Sequence, residues 1–138
     1  MVNKKVLLSE LCSRLPYEVK CDIGDNKPYT LNSIEVDYTE GHLIRFKEMK
    51  NGFIMEVYLS EVKPYLFPMS SMTEEQKREY NSLRDFVPTY HYEFGDIVED
   101  TELYDNFESI NYLIANHFDY RGLIEKGLAI DATNLNIY

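Results

Sequence analysis

His117 and Asp119 stand two residues apart within His117-Phe118-Asp119-Tyr120-Arg121, the densest mixture of polar and aromatic side chains in the chain. A histidine beside a carboxylate is a pairing that general acid–base catalysis uses. The same residues also have a purely architectural reading. Asn116 and Asp119 can organise a helix-to-helix turn while Phe118 and Tyr120 pack inward. Cys12 could act as a nucleophile with a histidine. It falls in an apolar helical stretch, however, where a buried structural thiol is the expectation. The remaining soft ligands, Cys21, His42 and His91, never pair with each other, with Cys12 or with His117 at a spacing of three or four residues. There is no CxxC and no HExxH, so no transition-metal site is expected. Asp96 to Glu102 lacks the alternating oxygens and central glycine of a calcium loop. Neither GxSxG nor a phosphate-binding glycine loop occurs. The sequence therefore assigns no catalytic residue, no metal ligand and no cofactor.

Charge says more than motif. Between Arg84 and Arg121 there is no lysine or arginine, but nine carboxylates: Asp85, Glu93, Asp96, Glu99, Asp100, Glu102, Asp105, Glu108 and Asp119. Nearly all of the formal charge of -10 sits in that segment. Such a field excludes nucleic acid and other anionic surfaces as ligands there and leaves a basic protein surface or a cation. Asp96, Glu99, Asp100, Glu102 and Asp105 are the candidate binding residues, expected to lie exposed on one side of the fold. A solvated face that keeps the protein soluble is the plain alternative. Mimicry of a DNA backbone is the sharp one, and nine acids are few for it.

At 138 residues, 44% hydrophobic and 28% charged, the chain has the size and composition of one globular domain spanning 1–138. Its core must be built without tryptophan, whereas tyrosine occurs 12 times and suits half-buried positions and interfaces. No apolar run approaches the roughly 20 residues that span a bilayer. The apolar stretch after Lys4-Lys5 stops at Ser9-Glu10, too short for a signal peptide. These features predict a cytoplasmic protein with reduced cysteines and no membrane partner.

The elements follow from local pattern. Residues 4–14 read as a helix with Val6, Leu7, Leu11 and Leu15 near one face, ended by Pro16. Strands are expected over 19–23, 30–37, 42–47 and 53–59, with a bulge near Asn32-Ser33. Thr39-Glu40-Gly41 turns the chain, and Lys50-Asn51-Gly52 carries the strongest short hairpin signal. Pro64 and Pro68 are expected to take the chain off the sheet. Two overlapping capping boxes, from Ser71 and from Thr73, offer the start of a helix running to about Leu83, and Pro88 is expected to break it. Tyr90 to Phe94 is a possible short strand. Asp105 or Asn106 caps a helix through Ala115, and a last short helix is expected over 121–126, stopped by Gly127. The tail from Asp131 has no periodicity. The resulting expectation is an α+β domain: an N-terminal helix, a four-stranded antiparallel meander, and two to three C-terminal helices packed against it.

Three stretches carry a resemblance. They are Arg14 to Lys20 (RLPYEVK), Glu61 to Gln76 (EVKPYLFPMSSMTEEQ) and His117 to Ala129 (HFDYRGLIEKGLA). In these the chain resembles a family of small uncharacterised proteins encoded by gut bacteria and by their phages and mobile elements. The matching pieces cover a third to a half of the chain and exclude the acidic segment; Asn134 stands where a glycine is expected. The resemblance implies a genomic setting and no activity. With no catalytic constellation, segregated charge and abundant tyrosine, the leading expectation is a non-enzymatic protein, a phage or mobile-element accessory that binds a basic surface of a host protein. The alternatives are a small enzyme built around His117 and Asp119, and a DNA-mimic inhibitor.

Overall fold

The computed structural model describes residues 2–35, 43–47 and 54–138, and it is mixed α+β with three α-helices. Contacts divide the chain into two compact units: the first comprises residues 1–71 and 114–138, the second residues 72–113.

The first unit begins with α1 (Val2–Arg14), which ends as Pro16 enters a short 3-10 turn. The chain then forms β1 (Lys20–Asp22), β2 (Tyr29–Glu35), β3 (Leu43–Lys47), β4 (Ile54–Tyr58) and β5 (Lys63–Pro68). Two short strands, β8 (Phe118–Asp119) and β9 (Ile130–Asp131), complete a seven-stranded sheet of order β4-β3-β2-β1-β5-β8, with β9 also paired to β5. Every pairing from β4 through β5 is antiparallel, whereas β8 and β9 run parallel to β5. The sheet is thus larger and more mixed than a four-stranded meander. The register of β2 on β3 shifts between Leu31 and Ser33, where the broken alternation predicts a bulge. The turns expected at 39–41 and 50–52 lie outside the described residues, as do Val36, Asp37, His42 and Phe53 from the expected strand ends.

Pro64 and Pro68 do not take the chain off the sheet; both belong to β5. Proline's fixed φ is compatible with extended backbone, and its cost in a strand is a missing donor. The bonds that tie β5 to its parallel neighbours avoid the prolines: Phe67 N–H donates to His117 O (2.8 Å), and Leu66 O accepts from Ala132 N–H (2.8 Å).

The core of the first unit gathers Leu7 and Leu11 from α1, Val19 and Cys21 near β1, Leu31, Ile44, Val62, Leu66, Leu123 and Ala129. Each buried leucine, isoleucine or valine among them contributes about 1.5–3 kcal/mol of transfer free energy. The helix expected over 121–126 does not form, and the segment is a run of turns. Gly122 takes φ of 74°, outside the right-handed helical region, and Gly127 takes 73°. The Asp119 carboxylate accepts the N–H groups of Leu123 (2.8 Å) and Ile124 (2.9 Å) and ties these turns together. Asn134, where a glycine is expected, has φ 66°, a left-handed conformation that asparagine tolerates.

The second unit holds α2 (Glu74–Leu83), β6 (Asp85–Glu93), β7 (Asp96–Tyr104) and α3 (Phe107–Ala115) as far as Leu113. Of the two capping boxes in the sequence, the one at Thr73 is used: Gln76 N–H donates to Thr73 Oγ1 and Thr73 N–H donates to Gln76 Oε1. Asn106 caps α3 reciprocally with Ser109, whose N–H reaches Asn106 Oδ1 at 2.8 Å while Ser109 Oγ accepts from Asn106 N–H at 2.8 Å.

Candidate functional site

β6 and β7 form a two-stranded antiparallel hairpin of nine residues a side. Strand propensity does not explain β7, since aspartate and glutamate are depleted in strands. An uninterrupted register holds it, from Asp85 opposite Tyr104 to Glu93 opposite Asp96. At one end the chain reverses through Phe94 and Gly95, with φ of 51° and 86°. Two positive φ values in a two-residue loop are the geometry of a type I′ turn, which suits the twist of a hairpin.

At the other end a polar network ties the hairpin to the helices of its unit. Arg84 donates to Leu103 O (2.8 Å), and Asn106 Nδ2 donates to Leu83 O (2.7 Å) and Asp85 Oδ1 (3.0 Å). Asp105 accepts from the Tyr80 hydroxyl and from Ser109 Oγ (3.1 Å), and it lies 3.4 Å from Arg84 Nε. Burial, then the bond to Asp105, pushes the Tyr80 phenol up to about 12. Tyr112, whose hydroxyl donates to Glu79 at 2.9 Å, is likewise raised to about 12 by burial and that bond. The two tyrosine rings stack with centroids 6.4 Å apart.

Directly opposed residues of an antiparallel pair share a face, so the register sorts the hairpin into two surfaces. One carries Asp85, Val87, Thr89, His91 and Glu93 from β6, with Asp96, Val98, Asp100, Glu102 and Tyr104 from β7. Five of those ten are carboxylates. The other carries Phe86, Pro88, Tyr90 and Tyr92, with Ile97, Glu99, Thr101 and Leu103. On this aromatic surface Phe86 and Tyr90 are each 65% exposed, Ile97 66% and Tyr92 80%, while Phe94 at the turn is 98% exposed.

The structure therefore distributes the five candidate residues in three ways. Asp96, Asp100 and Glu102 lie exposed on the acidic surface. Glu99 is exposed but faces the opposite way, among aromatic rings. Asp105 belongs to the polar network at the hairpin's base. The expectation that all five share one side assumed no strand; alternation in β7 separates Glu99 from its neighbours. On the acidic surface the Tyr104 hydroxyl donates to Glu102, which raises the phenol's pKa, and His91 Nε2 lies 3.6 Å from Glu93. Sequence reading missed the aromatic surface altogether. Its signal was present as the alternation Phe86, Pro88, Tyr90, Tyr92, masked by the proline.

His117 and Asp119 are not brought together as an acid–base pair. Both oxygens of Asp119 are taken by backbone N–H groups. His117, at φ 63°, stacks on Tyr138 with ring centroids 3.7 Å apart and 13° between planes. Burial, with the Arg14 and Lys20 charges adding to it, pushes its imidazole down to about 4. Its Nδ1 is buried without a hydrogen-bond partner.

Arg14 and Glu10 form a fully buried pair at 2.9 Å. Arg14 also donates to Phe118 O at 2.6 Å, and Arg121 Nε lies 2.9 Å from the other Glu10 oxygen. Cys12 is exposed and Cys21 is the buried thiol, its pKa driven up by burial. The helical stretch that suggested a buried Cys12 turns Leu7 and Leu11 inward, and Cys12 follows Leu11 by about 100° of rotation.

Among the described residues no group of three or more His, Cys, Asp or Glu side chains could hold a metal ion, and no helix is long and apolar enough to cross a membrane. No protein family, curated protein or solved structure matches the chain.

Proposed function

We propose that this is a non-enzymatic interaction protein whose β6–β7 hairpin binds a basic surface on a protein partner. One observation carries the reading: Asp85, Glu93, Asp96, Asp100 and Glu102 share one surface of an exposed hairpin that contains no lysine or arginine. A one-signed surface speeds encounter with an oppositely charged partner and repels nucleic acid and anionic lipid. The resemblance to a family carried by gut bacteria, phages and mobile elements supports an accessory role inside a bacterial cell, such as inhibition of a host factor. Asp96, Asp100 and Glu102 are the contact residues of this reading; Glu99 lies on the opposite surface, and Asp105 holds the hairpin in shape.

The test is capture from a gut-bacterial lysate followed by association kinetics with the captured protein over a salt series. Asp96→Asn/Asp100→Asn/Glu102→Gln should slow association at low salt and flatten its salt dependence, because exposed charges are screened within about 10 Å at 0.1 M. Stability should change by less than about 0.5 kcal/mol, as at other exposed positions. A triple variant that associates as fast as wild type at every salt concentration removes the acidic surface from function.

A further inference from the structure

Each unit places arginine between a tyrosine ring and a carboxylate. The Arg84 guanidinium lies 5.0 Å from the Tyr80 ring centroid, and its Nε is 3.4 Å from Asp105. Arg121 lies 5.5 Å from the Tyr120 centroid and 2.9 Å from Glu10. Arg14 repeats the arrangement, 5.8 Å from the same ring and 2.9 Å from the same carboxylate. The hairpin holds a further tyrosine–carboxylate pair. Tyr90 stands directly opposite Glu99 in the register, on the aromatic surface, where such partners have Cβ atoms about 4.5–5.5 Å apart. Both side chains are exposed, and among the described residues no lysine or arginine is paired with either. The seat is framed by Phe86, Pro88, Tyr92 and Ile97.

We propose that Tyr90 and Glu99 receive an arginine presented by an otherwise apolar segment of the protein partner. This rests on the reading of the hairpin as the partner-binding element and names what that element recognises. Charge complementarity selects the occupant: Glu99 is the sole carboxylate of this surface, and the hairpin has no lysine or arginine of its own. Arginine suits the seat better than lysine, because its plane stacks on a ring while its edge pairs with a carboxylate in two bonds. A second copy of the chain fits poorly. It would bring another chain of net charge -10 and set Glu99 against Glu99 in apolar surroundings. Phe94, at the hairpin turn, has a left-handed conformation that aromatic residues rarely adopt, with 98% of its surface exposed. Strain of this kind gathers at binding sites, and the ring is available to enter the partner's apolar segment.

The experiment uses the full chain and two labelled synthetic peptides. Both alternate leucine with a cation, and they differ only in carrying arginine or lysine. Fluorescence anisotropy on the wild type should show a preference for arginine of about tenfold. Glu99→Gln and Tyr90→Val should each reduce that preference to about twofold or less, while Tyr90→Phe, which keeps the ring, should retain it. Asp100→Asn/Glu102→Gln, on the opposite surface, should weaken both peptides alike. If the wild type binds both peptides equally and with a steep salt dependence, the arginine seat is overturned while the acidic surface remains a binding face. If neither peptide binds at low salt, both readings fall. Binding to neutral phosphatidylcholine vesicles that Tyr90→Val and Phe94→Asn abolish would assign the aromatic surface to lipid and overturn the proposal as well.

Discussion

Glu10 carries two arginines, and their burial makes them unequal. Arg14 is wholly buried with it, whereas the Arg121 side chain is 43% exposed. Glu10→Ala leaves the Arg14 guanidinium buried with only Phe118 O as a hydrogen-bond acceptor, and should cost about 3–5 kcal/mol. Arg121→Ala removes a screened ion pair and should cost about 0–1 kcal/mol. Urea denaturation of the two variants checks the contrast, and equal losses would show that the buried pair does not anchor α1. His117 offers a second residue-scale test. Its folded pKa of about 4 lies below the ordinary 6.5. Above pH 6.5 neither state carries the proton; between about 6.5 and 4 the unfolded chain binds it and the folded chain does not; below 4 both do. Acidification through that window therefore favours unfolding. His117→Asn keeps a residue that tolerates φ 63°. The variant should lose less stability than wild type between pH 7 and pH 4, measured as urea midpoints at several pH values. Parallel losses would remove His117 as the titrating group.

At the scale of elements, the Phe94-Gly95 turn departs from its best sequence. Asparagine accepts left-handed backbone more readily than phenylalanine, so Phe94→Asn should stabilise the hairpin by about 1 kcal/mol. Slower amide hydrogen exchange along β6 and β7 would show the gain; unchanged or faster exchange would mean that Phe94 supports the strands. The same hairpin marks the limit of sequence reading. Both helix starts were legible to within two candidates, Ser71 or Thr73 and Asp105 or Asn106, because cap signals are written locally; the structure uses Thr73 and Asn106. So was the bulge near Asn32, where alternation visibly slips. β7 was not legible, since its acids disfavour strand locally and only pairing with β6 fixes them. Pro64 and Pro68 misled for the related reason that a strand's tolerance for proline depends on which of its groups the neighbours use. The helix lost at 121–126 turns on Gly122, whose positive φ lies outside the right-handed helical region, a choice that the local pattern does not reveal. Of the candidate site, the acidic character was readable and the division into two surfaces was not, because the register decides it.

In the whole molecule burial is uneven. The hydrophobic core cluster belongs entirely to the first unit. The second unit buries few side chains, Met72, Tyr80, Ser109 and Leu113 among them, and its sheet is a lone pair of strands. An isolated two-stranded hairpin is marginal in water, and so short a chain needs additional support. An excised peptide of residues 72–113 should be largely unfolded by circular dichroism. A chain in which a flexible glycine–serine linker replaces 72–113 should still unfold cooperatively in urea. A folded peptide, or a broad non-cooperative transition in the linked chain, would reverse this account of where stability lies.

The parallel pairing of β8 and β9 with β5 has a further consequence, for how the protein could be divided. The first unit is woven from two separated stretches of chain, stitched by Phe67 N–H to His117 O, Ala132 N–H to Leu66 O, Arg14 to Phe118 O and the Tyr138 hydroxyl to Tyr65 O (2.8 Å). None of these bonds needs the peptide link between Phe94 and Gly95. Fragments 1–94 and 95–138, expressed as separate polypeptides, should therefore reassemble and copurify. The interaction hairpin would then serve as the joint of a split protein.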